Sequence, residues 1–371
     1  MTRIYFDHNA SSPLRPAVKE AMVRALDLVG NPSSVHGFGR TARRAVEDAR
    51  AAVAALVSAK PPQVFFTGSG TEANNLALRG FPGRRLILSA IEHDSALAAA
   101  PGSARIPVTR DGVADLAALE RLLAEGGREP ALVSMMMVNN ETGVIQPVAE
   151  ATRLAHAHGA LFHCDAVQAA GRLALDCSAL GADLMTLSAH KIGGPAGVGA
   201  LIVAEGLDPE PLIVGGGQER RRRAGTENLV GLVGFGAAAA LALEELSGTD
   251  GISALRDALE REVLAAVPAA RVMGAGAPRV GNTSCLVLPG VPGETQVMGL
   301  DLAGVAVSAG AACSSGKVKP SHVLAAMGED AVTAASAIRV SLGWDSDRAG
   351  VDRFVAAWTA MAGRLAPPSA A

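Results

Sequence analysis

Four cysteines occur in 371 residues, and none belongs to a CxxC pair or to a zinc-type spacing. That scarcity argues against both a disulfide framework and a structural metal, so Cys164, Cys177, Cys285 and Cys313 are expected as reduced thiols and no intrinsic metal is expected. Charge of one sign is lacking too. A net charge of -3 gives no support for nucleic-acid or membrane-surface binding, although Arg220 to Arg223 form one local basic run. The longest uncharged apolar stretch, residues 229–243, falls short of the roughly 18 residues of a spanning helix, and its Gly and Ala content predicts a buried helix instead. The opening Met1-Thr2-Arg3-Ile4-Tyr5-Phe6-Asp7-His8 is broken by charge before any apolar run of signal-peptide length, which makes the cytoplasm the expected location. No internal repeat is visible, and only residues 366–371 read as a frayed tail.

What is present is a chain 49% hydrophobic and 19% charged, long enough to bury one full core and a smaller second one. Short apolar strand candidates at 63–67, 86–89, 131–138, 160–164 and 183–187 alternate with helix-like segments at 40–56, 116–123 and 148–158. This alternation predicts an α/β unit with a mainly parallel sheet, whose ligands gather at the carboxyl ends of strands. A long helix over 226–246 leads to Ser-Gly-Thr-Asp-Gly at 247–251, which reads as a boundary. Beyond it, helices at 252–266, 293–303 and 348–364 and strands at 282–288, 305–308 and 337–342 predict a smaller α+β unit. The division expected is a large unit over 13–248 and a small one over 249–371, with residues 1–12 packing on the small one.

Lys191 is the most informative residue, because Ser188-Ala189-His190-Lys191-Ile192-Gly193-Gly194-Pro195 sets it between an apolar strand and a glycine-rich turn. Partial desolvation there favours a neutral, nucleophilic amine, the kind that forms an imine with pyridoxal phosphate (PLP). A lone lysine beside a loop is ordinarily a surface residue, so the neighbours decide. Thr67-Gly68-Ser69-Gly70-Thr71-Glu72 runs from a strand through a Gly-rich turn into a helix, and Gly70 and Thr71 there are candidates for holding a phosphate, with Ser188 and His190 as further donors. Asp165 follows a strand where a carboxylate would keep a pyridinium nitrogen protonated, and Gln168 would reach the ring oxygen if the next turn is helical. The alternative for Asp165 is a helix cap. His93 also follows a strand, where its imidazole would stack on a flat ring and move protons, and Asn140 ends the Met-rich strand as a donor to cofactor or substrate. Isolated histidines are usually structural, and Asn140 alone reads as a turn residue.

Eight strings in order carry a resemblance: Phe-Asp-His-Asn-Ala at 6–10, Asn-Pro-Ser-Ser-Val-His at 31–36, Thr-Glu-Ala-Asn-Asn at 71–75, Val-Asn-Asn-Glu-Thr-Gly at 138–143, His-Cys-Asp-Ala-Val-Gln at 163–168, Ser-Ala-His-Lys at 188–191, Arg-Ala-Gly-Thr-Glu-Asn at 223–228 and Ala-Cys-Ser-Ser-Gly at 312–316. Together they resemble the NifS/IscS-type cysteine desulfurases, PLP enzymes of fold type I in the branch of the class V aminotransferases. The resemblance implies that Lys191 holds PLP, with Gly70, Thr71, Ser188 and His190 at its phosphate, Asp165 and Gln168 at its ring, His93 stacked on it and Asn140 touching cofactor and substrate. Arg339 matches the clamp for the substrate α-carboxylate, a task suited to a bidentate guanidinium, against the alternative of a buried structural ion pair. Thr226 is implied to reach the other subunit's phosphate, hence a homodimer.

Cys313 defines the implied reaction. It stands in a stretch of small and polar residues near Lys317 and Lys319, which favour thiolate, whereas Cys164 and Cys285 sit in apolar strand patterns and Cys177 is ambiguous. The implied activity takes L-cysteine to L-alanine, with Lys191 moving the α-proton and Cys313 taking the sulfur as a persulfide. The implied acceptor is an iron-sulfur scaffold or another sulfur carrier, in iron-sulfur cluster or thio-cofactor assembly, with Cys313 the residue that would transiently ligate a cluster shared with that scaffold. Two departures stand out: Thr67-Gly68-Ser69-Gly70-Thr71 in place of Thr-Ser-Gly-x-Thr, and Ala196 where a lysine often follows Gly-Pro. The rivals are a selenocysteine lyase, an aminotransferase or β-lyase on the same fold, and a non-catalytic docking partner.

Overall fold

The computed structural model describes residues 3–248, 250–310 and 320–365. Its centre is a seven-stranded sheet in the order Val64–Thr67, Gly199–Val203, Leu184–Ser188, Leu161–Asp165, Ala131–Met136, Arg85–Ser89, Ala104–Ile106. The last five strands of that order run parallel, and Gly199–Val203 is antiparallel to both of its neighbours. Both faces are apolar because each strand is apolar at consecutive positions: Phe66, Val133 and Ile202 face one core while Phe65, Leu132 and Leu201 face the other. The helix Gly70–Arg79 covers the second face, and Gly37–Leu56, Leu116–Glu125, Val148–Ala157 and Leu229–Glu244 cover the first.

The apolar run predicted as a buried helix is the helix Leu229–Glu244, with Leu232, Phe235, Ala238, Ala239 and Ala242 buried. Its small residues have a packing reason. A Cβ added at Gly236 would stand 2.6 Å from Ala49 Cα, so only glycine lets this helix approach the backbone of Gly37–Leu56 so closely. Among the described residues no helix is long and apolar enough to cross a membrane.

A second sheet, wholly antiparallel, has the order Ser308–Ala309, Ala337–Ser341, Thr283–Val287, Arg271–Val272. The helices Asp250–Ala266 and Arg348–Leu365 pack with it around a separate core that includes Leu286, Ile338, Phe354 and Trp358, and the N-terminal Ile4 and Phe6 join that core. The buried Trp358 indole donates to Gln296 Oε1 at 3.1 Å, which offsets the cost of burying its N–H.

The strand expected over 305–308 divides in two. Val305–Ala306 pairs in parallel with Ile4–Tyr5, while Ser308–Ala309 joins the second sheet, so the chain changes partners at Val307. The long helix starts at Leu229, where the Asn228 side chain accepts from Gly231 N as its cap. Glu245–Gly248 is a 3-10 turn, followed by the helix Asp250–Ala266.

Candidate active site

The carboxyl ends of the parallel strands open into a cavity of about 350 Å³. Gly70, Thr71, His93, Asn140, Asp165, Gln168, Ser188, His190, Lys191 and Arg339 all line it. Thr226 does not; it is exposed and stands apart from this chain's own cavity. Cys313, with Lys317 and Lys319, lies outside the described residues.

Lys191 closes the 3-10 turn Ala189–Lys191 directly after the strand Leu184–Ser188. Its half-buried amine donates to Asn9 O at 2.6 Å and Ala10 O at 2.8 Å. Burial, and then the Lys191 charge, push His190 down to about 4, so it is a neutral ring at physiological pH.

On one wall, Ser69 caps the helix Gly70–Arg79 by accepting from Glu72 N at 3.1 Å, and Gly68 N donates to Glu72 Oε2 at 2.8 Å. The start of this helix, at Ser69, Gly70 and Thr71, lines the cavity, and the first N–H groups of a helix lack intrahelical acceptors. A Cβ at Gly70 would come within 3.3 Å of Ser188 Cβ, and the buried Ser188 Oγ has no hydrogen-bond partner among the described residues. An orphan hydroxyl beside a glycine-lined helix start is what a phosphate would satisfy, so these residues fit PLP at that end.

Asp165 is the last residue of the strand Leu161–Asp165 and not the one beyond it. It is 5% exposed, and its two oxygens accept from Val167 N at 3.0 Å and Asn74 Nδ2 at 2.8 Å. Two residues back on the same face, His163 is held between Ser134 Oγ and Thr186 Oγ1, each at 2.9 Å, and burial pushes it down to about 4. Glu92 is fully buried nearby, accepts from Met136 N at 2.6 Å, and is pushed up to about 8 by burial and then by the Asp165 charge. The acid that lines the cavity is Asp165, with Glu92 largely neutral nearby.

Gln168 lies in a turn, not a helix. Its Nε2 donates to Asn9 O at 3.0 Å, and its Oε1 accepts from Arg172. His93 is the N-cap of the short helix Asp94–Leu97, its Nδ1 accepting from Ser95 N at 3.1 Å. Arg339, 3% exposed in the strand Ala337–Ser341, donates from Nη2 to Asp7 Oδ1 at 2.8 Å and from Nη1 to Asn140 O at 3.2 Å, while its buried Nε has no partner among the described residues. It is thus both an ion pair and a cavity wall.

In the arginine run, Arg220 and Arg221 are exposed while Arg222 and Arg223 are half-buried. Arg220 donates to Pro62 O, Arg222 pairs with Asp208 and lies 4.2 Å from the Phe65 ring centroid, and Arg223 pairs with Glu72 at the start of the cradle helix. Buried Glu219 accepts two bonds from Arg50 and one from Phe66 N, holding Glu219, Arg220 and Arg221 at φ of 44°, 55° and 69°. Among the cysteines, Cys164 and Cys285 are buried with thiols pushed up by desolvation, and Cys177 is pushed up to about 12.

Missed from the sequence are Asn9, Asn74 and Ser95 in the cavity wall. Asn9 falls inside the string at 6–10 and Asn74 inside the string at 71–75, whereas Ser95 falls in none.

A parallel-sheet fold with a lysine, a carboxylate and a phosphate-type helix start around one cavity defines a PLP-type transferase architecture. Residues 4–354 match the aminotransferase class-V family. The chain is 45% identical over 370 residues to a cysteine desulfurase of Cereibacter sphaeroides, covering 96% of this chain and 94% of that one. It is 39% identical to the cysteine desulfurase IscS of Dictyoglomus turgidum, covering 92% and 89%. A solved NifS-like protein from Rickettsia africae superposes with a TM-score of 0.91 at 37% identity, covering 97% of this chain and 99% of that one. The chain belongs to the class V aminotransferase family and, within it, to the NifS/IscS-type cysteine desulfurases.

Proposed function

We propose that this protein is a PLP-dependent cysteine desulfurase that converts L-cysteine to L-alanine and carries the released sulfur as a persulfide on Cys313. The observation that carries the reading is the convergence of Lys191, Asp165, the Gly70 helix start and Arg339 on one cavity. When bound, PLP withdraws electron density from the substrate α-carbon. Asp165 keeps negative charge at the ring-nitrogen end, Gln168 and Asn140 orient the ring-oxygen side, and His93 covers a face. Gly70, Thr71, Ser188 and neutral His190 hold the phosphate through N–H and O–H donors. Arg339 orients the α-carboxylate, and the Lys191 amine holds the cofactor and moves the α-proton. Cys313 supplies the sulfur nucleophile. The balance closes without an external oxidant: L-cysteine and a thiol give L-alanine and a persulfide, the S–S bond replacing the substrate's C–S bond.

A homodimer completed by Thr226 is part of this reading. It is supported by the exposure of Thr226 and by large apolar side chains open to solvent at Ile213, Val214, Leu26, Val29, Val35 and Phe38, which contact with a second copy would cover. The 13–248 and 249–371 division, with the N-terminus on the small unit, is supported by the two separate cores and by Ile4 and Phe6 in the second. A cytoplasmic location and delivery of the persulfide sulfur to an iron-sulfur scaffold or another carrier complete the proposal.

The test is alanine formation from L-cysteine and reductant by the PLP-loaded protein, beside Lys191→Ala and Cys313→Ser. Turnover by the wild type and essentially none by either variant is expected. Equal turnover by Cys313→Ser would replace desulfuration with a lyase reaction independent of that thiol, and a wild type inactive on L-cysteine would overturn the reading.

A further inference from the structure

Asn74 sits in the second turn of the cradle helix, 1% exposed, and its amide nitrogen is 2.8 Å from Asp165 Oδ2 and 2.8 Å from Ser95 Oγ. An ionised carboxylate oxygen only accepts, so the nitrogen of this amide and not its oxygen faces Asp165. Both amide hydrogens are then spent, one on Asp165 and one on Ser95. Because the Ser95 oxygen accepts from Asn74, its own hydrogen is left for His93 Nδ1, 2.8 Å away. Ser95 N donates to the same Nδ1 at 3.1 Å. Two donors therefore converge on Nδ1, and the neutral imidazole carries its proton on Nε2.

We propose that Asn74 is a positioning residue that fixes two groups at once, the Asp165 carboxylate directly and the tautomer of His93 through the Ser95 hydroxyl. The inference rests on the proposed function for its chemical meaning, since His93 and Asp165 matter there as a proton-moving ring and a pyridinium partner. Geometry alone carries the hydrogen-bond logic. The buried Asn74 Oδ1 agrees with it: among the described residues nothing holds the amide by its oxygen, so its orientation is set by its two donations. One amide thereby couples the group that covers the ring to the group that holds its nitrogen, 72 positions further along the chain (165 against 93).

The experiment is two-bond ¹⁵N–¹H correlation spectroscopy of the full chain labelled at histidine nitrogen, first without PLP and then loaded, with His93 assigned by His93→Gln. The wild type is expected to show Nε2–H with unprotonated Nδ1. Asn74→Ala is expected to move His93 toward a mixture of tautomers, and the Ser95→Ala background is expected to abolish that response, the signature of an effect passed through the hydroxyl. Ser95→Thr, which keeps a hydroxyl, restores the wild-type pattern. In the loaded enzyme, Asn74→Ala lowers kcat by about tenfold or more with KM within about twofold, as expected for loss of acid–base alignment rather than of substrate binding.

Unchanged His93 signals in a folded Asn74→Ala protein overturn the proposal, as does an Asn74 effect that persists unaltered in Ser95→Ala. Should Asn74→Ala fail to fold, Ser95→Ala alone decides: its Nδ1 signal must shift, and an unmoved signal sinks the idea. The spectra without PLP do not depend on turnover. A protein that shows the expected tautomer but makes no alanine therefore refutes the proposed function and leaves this inference standing.

Discussion

Asp7 and Arg339 are 332 residues apart in sequence, and Arg339 Nη2 lies 2.8 Å from Asp7 Oδ1. Asp7 is itself fixed, its other oxygen accepting from Ser308 Oγ at 2.8 Å. The guanidinium that faces the substrate cavity is thus aimed by a carboxylate from the N-terminal segment. Removing one member of such a pair strands a buried charge. Asp7→Asn is expected to destabilise the protein by about 3 kcal/mol, and the double variant Asp7→Asn/Arg339→Met to lose less than the sum of the single losses. Denaturant titration of the four proteins checks this, and strictly additive losses would contradict it.

Glu92 gives the fold a pH dependence of definite sign. Its acid is raised from the usual carboxylate range to about 8, so between about pH 4.5 and 8 the folded protein binds more protons than the unfolded one. Stability contributed by this group therefore falls as pH rises through that window and levels off above it. Glu92→Gln keeps an acceptor for Met136 N without the titration. It should be more stable than the wild type at pH 8, by an amount on the order of a few kcal/mol, with the gap closing toward pH 5. Thermal melts across pH check this, and a pH-independent gap would refute it.

Thiol chemistry should separate the cysteines. Cys164, Cys285 and Cys177 have thiols raised by burial, so at pH 7.5 their alkylation should be at least about 100-fold slower in the folded than in the unfolded protein. Peptide mass spectrometry after timed iodoacetamide exposure reads each site. Fast labelling at Cys164 or Cys285 in the folded protein would contradict the assignment.

Arg221 offers a strain test. It is an exposed non-glycine residue at φ 69°, the third left-handed residue in a row. Arg221→Gly should stabilise the protein by about 1 kcal/mol by removing the Cβ clash with its own backbone. Breaking the anchor with Glu219→Ala should do the reverse and by more, because the buried Arg50 then loses its buried carboxylate partner and keeps only the exposed Glu47. Denaturation midpoints distinguish the two.

Residues at strand ends were legible in the sequence because a parallel sheet delivers its ligands there, and Lys191, Asp165 and His93 all sit just at or beyond apolar strands. The strand Gly199–Val203 was not anticipated. It is buried along its whole length and shows no alternation, and it follows the glycine-rich lysine turn so closely that its run reads as part of the turn. The break at Val307 was hidden because its two halves pair with strands far away in sequence. Asn74 and Ser95 left no local signal at all. Asn74 bonds to Asp165, 91 positions away, and to Ser95, 21 positions away, and such bonds exist only once the fold has formed. Asn74 was inside a quoted string, but nothing in that string says which way its amide points.

The pairing of Ile4–Tyr5 with Val305–Ala306 sets a timetable for synthesis. Residues 4–9 are synthesised well ahead of their partners: the strand they join, the Arg339 that Asp7 aims, and the Thr283 that Asn9 donates to are made some 270 residues or more later. The lysine turn, meanwhile, leans on the carbonyls of Asn9 and Ala10. The pairing of residues 4–9 with Val305–Ala306, with Thr283 and with Arg339 can therefore form only after the last third of the chain has emerged, and the part of the cavity wall that they carry closes with it.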